Sequence, residues 1–124
     1  MTNLILLYAG AALPLIWGVA HLFPTRNVVA GFGEISLDNK RIITMEWVNE
    51  AAALIFISAI VFLVTLIDHT HAIATAVYWS SFVVLNAFSI ISLTTAFKIN
   101  FLPYKLCPVF FSGSAILILL GMLL

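Results

Sequence analysis

Four long apolar runs decide what this chain can fold into. They cover Leu4 to Phe23, Ile42 to Ile67, Ala72 to Phe97 and Leu106 to Leu124. Each is close to the roughly 20 residues a helix needs to cross a hydrocarbon core of about 30 Å. None alternates with a period of two, so strands are not expected, and backbone groups in lipid must be satisfied within their own segment. The expected fold is all-α: a single integral membrane domain over residues 1–124, built as a four-helix transmembrane bundle with short loops. Composition agrees. Hydrophobic residues make up 64% of the chain and charged residues 8%, against about 45–50% and 25% in soluble domains. So small a soluble globule cannot hide that much apolar side chain.

The connections carry the punctuation. Pro24 to Arg41 is the longest; Gly31 and Gly33 suit a turn, and Val28, Val29, Phe32 and Ile35 suit an interface. Ser36 or Asp38 can cap the second span. Asp68 to His71 reads as a tight, solvated turn, and Pro14 as a kink in the first span. The opening "MTNLILLYAG" lacks the basic stretch of a secretory signal, so the first run is expected to be retained. Arg26, Lys40, Arg41, Lys98 and Lys105 all fall in the first and third loops. The positive-inside bias makes that side cytoplasmic and puts both termini outside. Trp17 and Trp47 then fall near the cytoplasmic interface, with Trp47 directed to the headgroup belt. Formal net charge is zero, so no nucleic acid partner is implied, and the lone Cys107 allows no internal disulfide.

Glu46, Asn49 and Glu50 stand out inside the second run. Their i,i+3 and i,i+4 spacing places all three on one helical face. Counted from Ile42, Glu46 is roughly 6 Å deep and Glu50 roughly 12 Å. A carboxylate in hydrocarbon costs about 2.5–3.5 kcal/mol on insertion scales, and such residues default to function. Burial and like charge hold a proton on a carboxyl pair, and a neutral acid beside a charged base is what proton-transfer chemistry needs. His21, at the same end of the first run, is the expected third partner. The catalytic candidates are Glu50, Glu46 and His21. The ligand-binding candidates are Asn49, Asn86, Thr94, Ser112 and Trp17, polar or amphipathic residues in the same half. The other half is nearly bare, so no polar column crosses the membrane, which argues against a channel.

The preferred expectation is a pocket in the cytoplasmic half for a membrane lipid or other lipophilic small molecule. Acid–base chemistry of an isomerase or hydratase kind would follow from the Glu/Glu/His cluster. The competing expectations are a non-catalytic partner or scaffold subunit and a proton-linked transporter component, either of them as a homo-oligomer or with a membrane partner protein. Whether the chain is an enzyme at all is left open. Glu46 and Glu50 with His21 offer two oxygens and a nitrogen to a metal, but the paired Glu-x-x-His motif of dimetal bundles is missing. No metal or cofactor is expected.

In size and span count the chain resembles the small bacterial four-helix membrane proteins grouped as DoxX-like. The stretch "GVAHLFPTRNVVAGFGEISLDNKRIITMEWVNE", Gly18 to Glu50, reads like a signature from an uncharacterised family of that kind. The resemblance implies a bacterial inner (cytoplasmic) membrane and assigns no site residue.

Overall fold

The computed structural model describes residues 1–124 as an all-α bundle. The helices are α1 (Thr2–Leu22), α2 (Thr25–Ala30), α3 (Leu37–Asp68), α4 (Ala72–Ala96) and α5 (Leu102–Leu123). Four of them, all but α2, are long and apolar enough to cross a membrane. Only 26 of 124 residues are buried, and Phe56, Ile90 and Val109 are among many large apolar residues left exposed. In water that surface would be untenable; against acyl chains it is the expected outer coat. The chain is an integral membrane protein.

Around the bundle the order is α1, α3, α4, α5, and across the diagonals there is no extensive packing, Trp47 of α3 meeting Tyr104 of α5. Each inner face is a stripe at three- and four-residue steps: Leu7, Gly10, Pro14, Trp17 and His21 on α1, and Leu54, Ser58, Val61 and Thr65 on α3. Lipid is as apolar as leucine, so these stripes are held by close packing and by hydrogen bonds rather than by transfer from water. Glycines allow the approach. A Cβ on Gly18 would lie 2.9 Å from the carbonyl oxygen of Ala51, and one on Gly10 would lie 2.7 Å from Ile118.

Pro14 is the centre of the fastening. Proline has no N–H, so the carbonyl of Gly10, four residues back, loses its helical partner. Ser114 of α5 donates its hydroxyl to that oxygen at 2.6 Å, and Ser58 of α3 donates to the neighbouring Ala11 carbonyl, also at 2.6 Å. Two helices therefore clasp α1 where its own ladder is broken.

The helix ends differ from the sequence reading in ways that have local causes. Ser36 accepts from the Asn39 amide at 3.2 Å and starts α3 five residues before Ile42. Pro103 sits in the first turn of α5, so this helix begins at Leu102 and Pro108 lies inside it. The first loop winds into the short helix α2, which packs on α3. Gly33 has φ +73°, where a side chain would be strained. At the tight turn the Asp68 carboxylate accepts from the Thr70 amide and hydroxyl at 2.9 and 2.7 Å. His71 accepts from the Ile73 amide at 3.1 Å and so caps α4.

That turn closes one end of the α3–α4 pair. The Thr65 hydroxyl donates to the Val61 carbonyl at 2.6 Å, which leaves Tyr78 to donate its hydroxyl to Thr65 at 2.9 Å. Away from the turn the seam is the loosest among the four long helices.

Candidate functional site

The α3–α4 seam parts at the bundle end that carries the five basic residues. Glu50 lies 15 residues from Thr65 and Ile91 lies 13 from Tyr78, so both stand roughly 20 Å from the fastened end. Between them is a cleft of about 340 Å³. Phe88, Ile91 and Phe111 supply its apolar walls. Its polar groups come from all four long helices: His21 of α1, Glu50 of α3, Ser92 and Thr95 of α4, and Tyr104 of α5.

His21 is buried and tightly placed. Its Nδ1 is 3.2 Å from the Trp17 carbonyl oxygen, which can only accept, so Nδ1 carries a proton. Nε2 is then the working nitrogen, and it faces Oε1 of half-buried Glu50 at 3.6 Å. Trp47 stacks on the imidazole with centroids 4.6 Å apart and planes at 25°. Its indole N–H donates to the His21 carbonyl at 2.6 Å. Trp17 meets the imidazole edge-on at 5.8 Å and donates its own N–H to the sulfur of buried Cys107 at 3.3 Å. The imidazole is thus clamped between two indoles, with one nitrogen committed and the other turned to a carboxyl. Oε1 and Nε2 stand just beyond hydrogen-bond distance, and a small approach of the two groups would close it.

Glu50 and His21 come together as expected, with Trp17 beside them. Glu46 and Asn49 do not join them: both are exposed on the outer surface of α3. Trp47 turns inward to His21 rather than outward to the headgroups. The buried stripe of α3, traced back from Thr65 through Ser58, Leu54 and Ala51, arrives at Trp47 and Glu50 and leaves Glu46 and Asn49 together on one flank. The depth count also changes. His21 is the penultimate residue of α1, so Glu50 stands level with the end of that helix. Helix α3 runs on beyond it to Leu37, and Glu46 lies on the exposed side of that stretch.

The remaining candidates lie off the cleft. Asn86 donates to the Phe82 carbonyl of its own helix at 2.8 Å, and exposed Thr94 donates to the Ile91 carbonyl at 2.7 Å. Ser89 donates to the Pro108 carbonyl at 3.3 Å, so Ser112 donates to Ser89 at 2.7 Å and fastens α4 to α5. Thr94 and Ser112 each miss by one residue, roughly 100° around a helix, and Asn86 lies two residues before Phe88, the first α4 residue of the cleft. The buried stripe Tyr78, Ser81, Leu85, Ser89 and Ala96 points to Ser92 and Thr95 instead. Tyr104 and Cys107 were also missed; Cys107 opens the buried stripe that continues through Phe111 and Ser114, and Tyr104 lies one step before it. No three His, Cys, Asp or Glu side chains converge in a way that would hold a metal ion.

Fold and site together define a polytopic helical membrane protein with a clamped carboxyl–imidazole pair in a cleft at the basic end of the bundle. No family model, curated protein or solved structure matches the chain.

Proposed function

We propose that the protein binds a lipophilic small molecule in this cleft and carries out proton transfer on it. The body of the ligand lies between α3 and α4, reached sideways from the membrane, and its polar end meets Glu50 and His21. The observation that carries this reading is the 3.6 Å pairing of buried His21 with half-buried Glu50 in a cleft whose walls are otherwise largely apolar. Glu50 serves as the base or acid toward the ligand, and Nε2 of His21 holds the proton in the alternate step. Isomerisation or hydration of the bound molecule are the reactions such a pair supports. The basic end faces the cytoplasm, as the positive-inside bias requires. A bacterial inner membrane and kinship with DoxX-like proteins remain part of the proposal. Lipid extracts of the purified protein, compared by mass spectrometry with those of Glu50→Gln, test it. A species retained by the wild type and lost from the folded variant is expected; identical extracts count against the cleft.

Exposed Glu46 and Asn49 favour one second reading, a partner or scaffold role. Two polar groups on an outer helix face suit a neighbouring membrane helix. Co-purification of a second protein, lost in Glu46→Ala/Asn49→Ala but not in Glu50→Gln, would support that alternative. Proton-linked transport has less behind it, since Thr65 and Tyr78 bond to each other and fasten the far end of the seam.

A further inference from the structure

The proposed cleft does not end at His21. A second chamber of about 230 Å³ adjoins it and shares His21, Tyr104 and Cys107 with it. Four aromatic residues line this chamber: Trp17, Trp47, Phe101 and Tyr104. Trp17 stacks on Phe110 and Trp47 on His21, while Trp47 and Phe101 both meet Tyr104 at an angle. Trp47 meets Tyr104 at 5.9 Å and 72°, and Phe101 meets Tyr104 at 5.6 Å and 61°. Rings inclined in this way make the walls of a box.

Charge narrows what the box can hold. All five Lys and Arg residues lie at this end of the bundle, yet none lines either chamber. A phosphate or carboxylate headgroup finds no fixed cation there and meets Glu50. The Glu50–His21 pair is neutral with one proton between Oε1 and Nε2 and anionic without it. A positively charged group gains twice: from aromatic faces, which attract cations within about 6 Å of a ring centroid, and from the carboxylate.

We infer that the ligand is an amphiphile with an ammonium headgroup, seated at the His21 boundary where the two chambers meet, with the aromatic rings on one side, Glu50 of the cleft on the other to balance its charge, and its tail in the α3–α4 cleft. This rests on the cleft being a ligand site. The headgroup is a tertiary or quaternary ammonium, whose methyl groups match aromatic walls, without a phosphate attached.

Calorimetric titration of the full chain in dodecyl maltoside micelles, with empty micelles as blank, tests the assignment. Dodecyltrimethylammonium is compared with its carbon isostere 2,2-dimethyltetradecane, with dodecylphosphocholine and with dodecyl phosphate. Saturable binding of the ammonium compound is expected, at least about tenfold tighter than any of the other three. Trp47→Leu and Phe101→Leu should each weaken it by roughly threefold to thirtyfold and leave the isostere unchanged. Phe101 is exposed at the start of α5, so its variant keeps the test alive if Trp47→Leu does not fold. Binding of the isostere as tight as the cation, or tighter binding of either phosphate compound, overturns the ammonium assignment and leaves the cleft standing. No saturable binding by any of the four overturns the assignment and the cleft together.

Discussion

Ser114 gives its hydroxyl to the Gly10 carbonyl at 2.6 Å, the oxygen that Pro14 has stripped of its helical partner. The broken ladder of one helix is thereby repaired by another, and α5 is tied to α1 one turn before Pro14. A proline that costs an isolated helix about 3 kcal/mol becomes the anchor for a contact between helices.

Removing the donor should leave the Gly10 oxygen unpaired in a dry interior. Ser114→Ala is expected to destabilise the bundle by about 1–3 kcal/mol, measured by equilibrium unfolding in mixed micelles. Pro14→Ala restores the backbone N–H, so in the double variant the loss caused by Ser114→Ala should shrink markedly. Strictly additive losses would show that the two residues are not coupled.

Gly18 sits where α1 packs tightly on α3, one turn from His21. A methyl there meets the Ala51 carbonyl at 2.9 Å and Leu54 at 3.1 Å, and neither can retreat without moving α3. Gly18→Ala should cost about 1–3 kcal/mol and weaken ligand binding, because it displaces His21 relative to Glu50. Unchanged melting and binding would show that the contact has slack.

The Tyr78 hydroxyl ties the closed end of the α3–α4 seam to Thr65. Tyr78→Phe removes the bond but keeps the ring, at an expected cost of about 0.5–1.5 kcal/mol. Amide exchange should rise first in α3 and α4 near the Asp68–His71 turn, with α1 and α5 less affected. Uniform acceleration across all four long helices would contradict a local fastening.

How much of this was legible beforehand depends on the scale asked about. Hydropathy is summed over some 20 residues, so it found the four spans and left only their ends in error. Those errors came from capping by Ser36 and from Pro103, which act on single turns. The approach of Glu50 to His21 was also legible, because each lies in the half of its apolar run that adjoins the loop joining the two runs. Rotation was not. Glu46, Asn49 and Glu50 occupy one broad face of α3, and only contact with Gly18 and His21 decides which edge of that face turns inward. The buried stripe settles it, since Ala51, Leu54 and Ser58 step back to Trp47 and Glu50. The same 100° error removed Thr94 from the cleft and hid Thr95 and Ser92. Tyr104 escaped notice because it reads as a loop residue until Pro103 is placed inside the helix.

The central claim is that Glu50 opens sideways to the membrane beside His21, while Glu46 does not share that setting. Carbodiimide labelling tests it directly, with adducts located by peptide mass spectrometry on the protein in lipid vesicles. Dicyclohexylcarbodiimide, which partitions into lipid and reacts with protonated carboxyls, should modify Glu50 and spare Glu46. A water-soluble carbodiimide should do the reverse. Glu50 modified only by the water-soluble reagent, or by neither while Glu46 takes the lipophilic one, would contradict the account.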